Sequence, residues 1–180
     1  MREIINDTFV TLDGVVNYMD QWHLNYITDE SNEIALERIK NSDGLLMGRR
    51  TYDVYASAWP ERAGEYPDHI NAIRKYVVSS TLTNPAWNNT TVVSGDLLDF
   101  VRELTSTDGG PILMHGFGPV AKSLVKAEML DRLHLWYHPS LVGLGDAGDR
   151  LHTDGLHATF EHIGTRTLKS GVVVLSYKRA

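Results

Sequence analysis

The stretch LLMGRRTYD, residues 45–53, runs from apolar residues through a glycine into two arginines where a helix is about to begin. A strand that passes this directly into a helix is the repeating step of an α/β chain. The arginines are electrostatically odd. A helix N-terminus already carries partial positive charge, so cations there gain nothing from the macrodipole. Either they reach into solvent, or an anion binds there and they form part of its site.

Outward from this stretch, short β-branched or apolar runs bounded by turn residues recur at 3–12, 44–48, 75–80, 90–94, 111–115, 131–142, 158–167 and 171–179. Helical patterns lie between several of them. Residues 29–41 place Ile34, Ala35 and Ile39 toward one side, with Asp29 as a candidate cap. Residues 96–106 group Leu97, Val101 and Leu104, and residues 117–127 group Val120, Leu124 and Val125. Alternation of strand and helix to about residue 142 predicts a largely parallel sheet covered on both faces. Leu168-Lys169-Ser170-Gly171 is too short to join parallel strands, so the last strand is expected to be antiparallel. The expectation is one domain over residues 1–180, an α/β fold with a mixed, mostly parallel sheet.

A net charge of −6 argues against a broad nucleic-acid-binding face but not against a local pocket for a phosphorylated small molecule. The absence of cysteine removes disulfides, thiolate metal sites and cysteine nucleophiles together. No apolar run approaches the roughly 20 residues that cross a bilayer, and no signal pattern precedes the first strand. A cytoplasmic location without membrane attachment is expected.

Ligands of open α/β sheets bind beyond the carboxyl ends of the parallel strands, and three segments fall there. Gly48-Arg49-Arg50-Thr51 offers helix-start N–H groups and charge-assisted hydrogen bonds. Ser79-Ser80-Thr81 offers three adjacent hydroxyls, although these residues are also common in loops. His115-Gly116-Phe117-Gly118-Pro119 permits close backbone approach at another helix start, but it lacks a full dinucleotide fingerprint. Together the three favour a nucleotide ligand. The eight histidines do not assemble a metal motif: His134 and His138, four apart on a strand, would stand about 13 Å apart. No metal is expected.

These segments, in this order, resemble the dihydrofolate reductase superfamily, in particular the branch related to the C-terminal reductase domain of bacterial riboflavin biosynthesis proteins. The resemblance covers nearly the whole chain. It includes Thr11-Leu12-Asp13-Gly14, Met47 to Tyr52, Lys75 to Leu82, Gly116-Phe117-Gly118, Leu130 to Pro139, Gly143-Leu144-Gly145 and Ser170 to Leu175. It implies an NADPH-dependent reductase and a homodimer. By position, Gly48, Arg49, Arg50 and Thr51 would contact cofactor phosphates, with Ser79, Ser80 and Thr81 near the adenosine ribose and its 2′-phosphate. Gly116, Phe117, Gly118, Pro119 and Val120 would cradle the diphosphate, and Asp13 to Val16 would lie beside the nicotinamide. His115 and Phe117 interrupt the glycine run usual at the third segment.

On the substrate side, Trp22-His23-Leu24 resembles the tryptophan-x-leucine that precedes the substrate acid of folate reductases. Asp29 follows somewhat late for that acid, with Glu33 one turn further as the reserve. A carboxylate there would hold an amidine-like ring edge and help deliver a proton; as a local feature, Asp29 equally reads as an N-cap. Trp136 stands where folate reductases carry a small hydroxyl residue, which argues against folate in its usual pose but leaves a flat heterocycle room to stack. The expected activity is hydride transfer to a C=N or C=O bond of a pteridine or riboflavin-precursor-like pyrimidine. The alternative is a non-catalytic nucleotide- or flavin-binding module that retains the fold.

Overall fold

The strand-forming runs assemble into one eight-stranded sheet in the computed structural model, which describes residues 1–180. In chain order the strands are β1 (Ile4–Thr11), β2 (Gly44–Gly48), β3 (Arg74–Val78), β4 (Thr90–Val93), β5 (Ile112–His115), β6 (Arg132–His138), β7 (Phe160–Thr167) and β8 (Val173–Arg179). The helices are α1 (Met19–Trp22), α2 (Asp29–Lys40), α3 (Arg49–Ala58), α4 (Glu65–Ala72), α5 (Leu97–Ser106) and α6 (Pro119–Lys126). The spatial order is β4-β3-β2-β5-β1-β6-β8-β7. Strands β1 to β6 pair in parallel, and β8 runs against both β6 and β7. The mixed sheet with an antiparallel C-terminal strand is thus as expected. At the β7–β8 turn Gly171 adopts φ +86°, and Leu168 N–H donates to Val172 O at 2.8 Å.

Alternating side chains divide the strands between two faces. Ile4, Val10, Leu46, Ile112, Met114, Leu133 and Leu135 pack with Val101 of α5 and Ala121, Leu124 and Val125 of α6. On the opposite face Leu45, Met47, Val77 and Leu113 meet Ile39 of α2, Tyr52 of α3 and Ile70 of α4. Trp136 and Val174 meet Ile34 of α2 on that same side. No helix is long and apolar enough to cross a membrane.

One local expectation needs correction, and one helix is added to those expected. Asp29 is the first residue of α2 and not its cap. The cap is Thr28, whose extended backbone (φ −136°, ψ 165°) suits a β-branched residue. Its hydroxyl accepts from Ser31 N–H, and Ser31 Oγ accepts from Thr28 N–H at 2.8 Å. The connection before β3, which carries Trp59-Pro60 and Tyr66-Pro67 and lies outside the helical patterns given above, contains α4. Pro67 is tolerated there because it lies in the first turn, where an N–H has no helical partner.

The register determines where a ligand can enter. β1 pairs with β5 only as far as Asp7↔His115, but with β6 as far as Thr11↔His138. β2 pairs with β5 only at Gly44↔Ile112 and Leu45↔Leu113. The sheet therefore opens on either side of the end of β5.

Candidate active site

The three strand-end segments meet on this edge. Gly48 is the N-cap of α3 and Gly118 that of α6, and no side chain caps either helix. Their first-turn N–H groups are therefore open to an anion, apart from Pro119, which has none. A Cβ built on Gly48 would stand 3.3 Å from Val120 Cγ2, so the two helix starts are close neighbours. A Cβ on Gly116 or Gly118 would meet nothing within 4 Å. Gly116 adopts φ +78°, a conformation that favours glycine. This open, donor-lined surface fits a diphosphate.

Arg49 links two of the segments. Its Nε donates to the Asp53 carboxylate at 2.8 and 3.0 Å, and its Nη1 reaches Thr81 Oγ1 at 3.4 Å. Ser79 Oγ accepts from Thr81 and Leu82 N–H at 3.2 and 3.1 Å, which shapes the turn and presents exposed Ser80 and Thr81 at the edge. Arg50 is more exposed and pairs with Asp149 Oδ1 at 3.2 Å. Phe117 does not face this edge: it is buried in the core that packs on α5 and α6. Thr51 is half-buried in the first turn of α3, next to buried Tyr52.

Two loops wall the edge. Asp13 accepts from the Thr11 hydroxyl at 2.6 Å and from Gly143 N–H at 2.8 Å, which fastens the loop after β1 to the loop after β6. The Thr11 hydrogen bond leads the effects that lower the Asp13 carboxyl pKa to about 2. Val16 is buried, and its N–H donates to Asp149 O at 2.9 Å. Burial pushes the Asp149 carboxyl up. Hydrogen bonds from Asp146 N–H, Tyr18, Asn17 and Arg50 outweigh that and hold it below its ordinary value.

The substrate-side residues separate. Asp29 and Glu33 both lie exposed on α2, with Asp29 on the outer side of its first turn. Trp22 is buried, its indole N–H donating to Asn17 O at 2.8 Å, and its ring meets His138 at 4.9 Å between centroids. Trp136 is also buried, and its indole N–H donates to Asp7 Oδ1 at 2.8 Å.

Asp7 opens a cluster that the sequence reading did not include. Its carboxylate, only 8% exposed, pairs through Oδ1 with Arg38 of α2, while Oδ2 is buried without a hydrogen-bond partner. Leaving a buried polar atom unpartnered costs about 1–3 kcal/mol, so Oδ2 is an acceptor that gains from meeting a donor. Register aligns Asp7 with His115 on β5 and His134 on β6. Nδ1 of His115 lies 3.0 Å from the Tyr55 hydroxyl of α3. Burial pushes the Tyr55 and Tyr66 hydroxyls up, with the negative Asp7 adding to both, and it pushes His115 down, so neutral forms prevail around this carboxylate. A signal was present: Asn6-Asp7-Thr8 puts three polar residues in the middle of a buried strand.

The RibD C-terminal domain profile matches residues 2–174. Among curated proteins none matches the chain. A Shewanella sp. PV-4 protein named for riboflavin biosynthesis shares 22% identity at a TM-score of 0.75, over 100% of this chain and 99% of its own. A pyrimidine reductase-like protein from Corynebacterium diphtheriae NCTC shares 10% at 0.68, over 99% and 92%. The Thermotoga maritima diaminohydroxyphosphoribosylaminopyrimidine deaminase/5-amino-6-(5-phosphoribosylamino)uracil reductase shares 14% at 0.68; 99% of this chain spans 57% of that one. At such identities the structural likeness speaks for the fold. The profile match over nearly the full length speaks for more: the chain belongs to the RibD C-terminal domain family.

Proposed function

We propose that the protein is an NADPH-dependent reductase that transfers hydride to a C=N or C=O bond of a small heterocycle, a pteridine or a riboflavin-precursor-like pyrimidine. The observation that carries this reading is the meeting of Gly48 to Thr51, Ser79 to Thr81 and Gly116 to Val120 at the ends of the neighbouring strands β3, β2 and β5. Bound NADPH would supply the hydride. The chain would bind and orient it: the starts of α3 and α6 and the Gly116–Gly118 surface take the phosphates, and Arg49, Arg50 and the Ser79–Thr81 turn face the 2′-phosphate end. Asp13 and Val16 hold the loop that would border the nicotinamide.

Thermal melting with NADPH, NADH, FMN or no ligand tests this, because a ligand that binds only the folded state raises the apparent melting temperature. No shift with millimolar NADPH sinks the reading. A shift with FMN alone supports the second reading, a nucleotide- or flavin-binding module without catalysis. The exposure of both Asp29 and Glu33 favours that module, since neither is enclosed as a proton donor. Full turnover in Asp29→Asn would retire Asp29 from catalysis. A homodimer belongs to the same proposal. Leu12 and Leu141, brought together by the Leu12 N–H to Ser140 O bond, are 59% and 74% exposed and would be covered by a second copy. Light scattering that gives a monomer mass removes it.

A further inference from the structure

The unpartnered oxygen of Asp7 stands at the point where the sheet opens. Its strand neighbour His115 is the last residue of β5, and the next residue, Gly116, donates its N–H to Asp7 O at 3.1 Å. Asn6 Nδ2 donates to Gly116 O at 2.8 Å. The backbone at Asp7 is thus braced against the turn assigned above to the cofactor diphosphate. Beyond this level β1 keeps only β6 beside it. Aromatic rings surround the position: Trp136 is bonded to Oδ1, and Phe9 meets Trp136 edge-on at 5.5 Å.

The charge around Asp7 narrows what Oδ2 can accept. Arg38 already neutralises the carboxylate through Oδ1, so a second cation, such as a ligand ammonium, would face that guanidinium. No group of three His, Asp or Glu side chains is arranged to hold a metal ion. What remains is a neutral donor. An amide-like or amino N–H on a flat ring supplies one and suits the aromatic surroundings.

We infer that Asp7 anchors the heterocycle, its Oδ2 accepting a hydrogen bond from a neutral ring or amino N–H while Trp136 and Arg38 hold Oδ1 in place. This makes Asp7, on β1, the substrate-recognising carboxylate instead of Asp29 on α2. It rests on the reductase reading for the fate of the ring but not for its binding. Asp7→Asn is a sharp probe, because the Trp136 and Arg38 donors claim the amide oxygen. The amide nitrogen then takes the place of Oδ2, and an acceptor becomes a donor.

The experiment is calorimetric titration of NADPH-saturated protein with 5,6-diaminouracil, and with 1,3-dimethyluracil as a ring lacking N–H. Wild type binds the first and not the second, and Asp7→Asn weakens binding at least about tenfold while NADPH affinity is unchanged. Asp7→Asn/Arg38→Gln, which removes the ion pair as a unit, gives the same loss if the single variant folds poorly. Equal binding by wild type and the variants overturns the inference. So does absence of binding by wild type, which would leave Oδ2 to water only. Asp7-dependent binding in a protein that does not take NADPH would keep the anchor and sink the reductase.

Discussion

His23 Nδ1 and His138 Nε2 lie 2.9 Å apart, and the second ring nitrogen of His138 is 2.8 Å from Trp136 O. A carbonyl only accepts, so His138 carries its proton on Nδ1, and His23 donates from Nδ1 to the bare Nε2. Burial favours the neutral form of both rings, in an aromatic cluster where His23 stacks on Phe9 at 4.1 Å.

Burial lowers His23 to about 4, with the nearby His138 adding to it, and burial likewise lowers His134 to about 4. Between there and the ordinary histidine value of 6.5 the unfolded chain binds more protons than the folded one, so stability falls as pH falls through that window. The expected result is a lower urea midpoint at pH 5 than at pH 7. His23→Gln, which keeps a donor for His138, should show a smaller drop. An unchanged pH dependence in that variant would remove the neutral pair as its source.

Periodicity and turn chemistry made the fold legible. Seven of the eight strands match an expected run to within about two residues at each end, β6 stopping at His138 short of residue 142, and the four residues from Leu168 to Gly171 required the reversed last strand. The edge was legible too, because glycines and hydroxyls mark strand ends wherever they fold. What local pattern could not supply was any pairing across distance. Asp7 and Arg38 are 31 positions apart and meet only because α2 packs over β1. Asp29 follows Trp22-His23-Leu24 as the substrate acid of folate reductases does, but Thr28 takes the cap and leaves Asp29 facing solvent. Helix α4 was obscured by Pro67, a residue that reads as a loop unless its place in the first turn is known.

Lys75 is 0% exposed, with its ammonium donating to Asn71 O at 2.5 Å and Asn88 O at 3.2 Å and standing 4.3 Å from the centre of the Trp87 ring. Burial pushes it down to about 8 from 10.5. The unfolded chain therefore holds the extra proton across that interval, and the contribution of Lys75 to stability rises with pH through it. Lys75→Met should lose that rise, read as the difference between variant and wild-type urea midpoints at pH 7.5 and 9.5. It should also leave two carbonyls without their donor, at about 1–3 kcal/mol each. A constant difference between the two pH values would show that the ammonium is not the titrating group.

Arg49 and Arg50 differ in how tightly they are held, and this predicts different effects on cofactor choice. Arg49 is tied to Asp53 and Thr81, whereas Arg50 is 68% exposed and carries a single pair to Asp149. Arg49, beside the Ser79–Thr81 turn, should supply the preference for NADPH over NADH. Arg49→Ala is expected to reduce that preference about tenfold, the size of one charge-assisted hydrogen bond. Arg50→Ala should weaken both cofactors together. Fluorescence titration measures the two affinities, and a preference intact in both variants would exclude the arginines from 2′-phosphate recognition.

Gly118 separates ligand contact from folding. Its φ of −86° is open to any residue, and a Cβ there would meet no heavy atom within 4 Å. Gly118→Ala should therefore leave the melting temperature of the free protein unchanged, or raise it slightly through a less flexible unfolded chain. If the cofactor diphosphate lies against this backbone, the added methyl occupies the space it needs, and NADPH affinity should fall at least about tenfold. Gly44→Ala is the contrasting control, because a Cβ there would come within 2.9 Å of the Tyr76 ring and 3.2 Å of Ile112. That substitution should cost stability, by about 1–3 kcal/mol for an overpacked site, with no direct effect on the cofactor edge. Melting curves with and without NADPH distinguish the two patterns. A Gly118→Ala protein that binds NADPH as wild type does would move the diphosphate away from the start of α6.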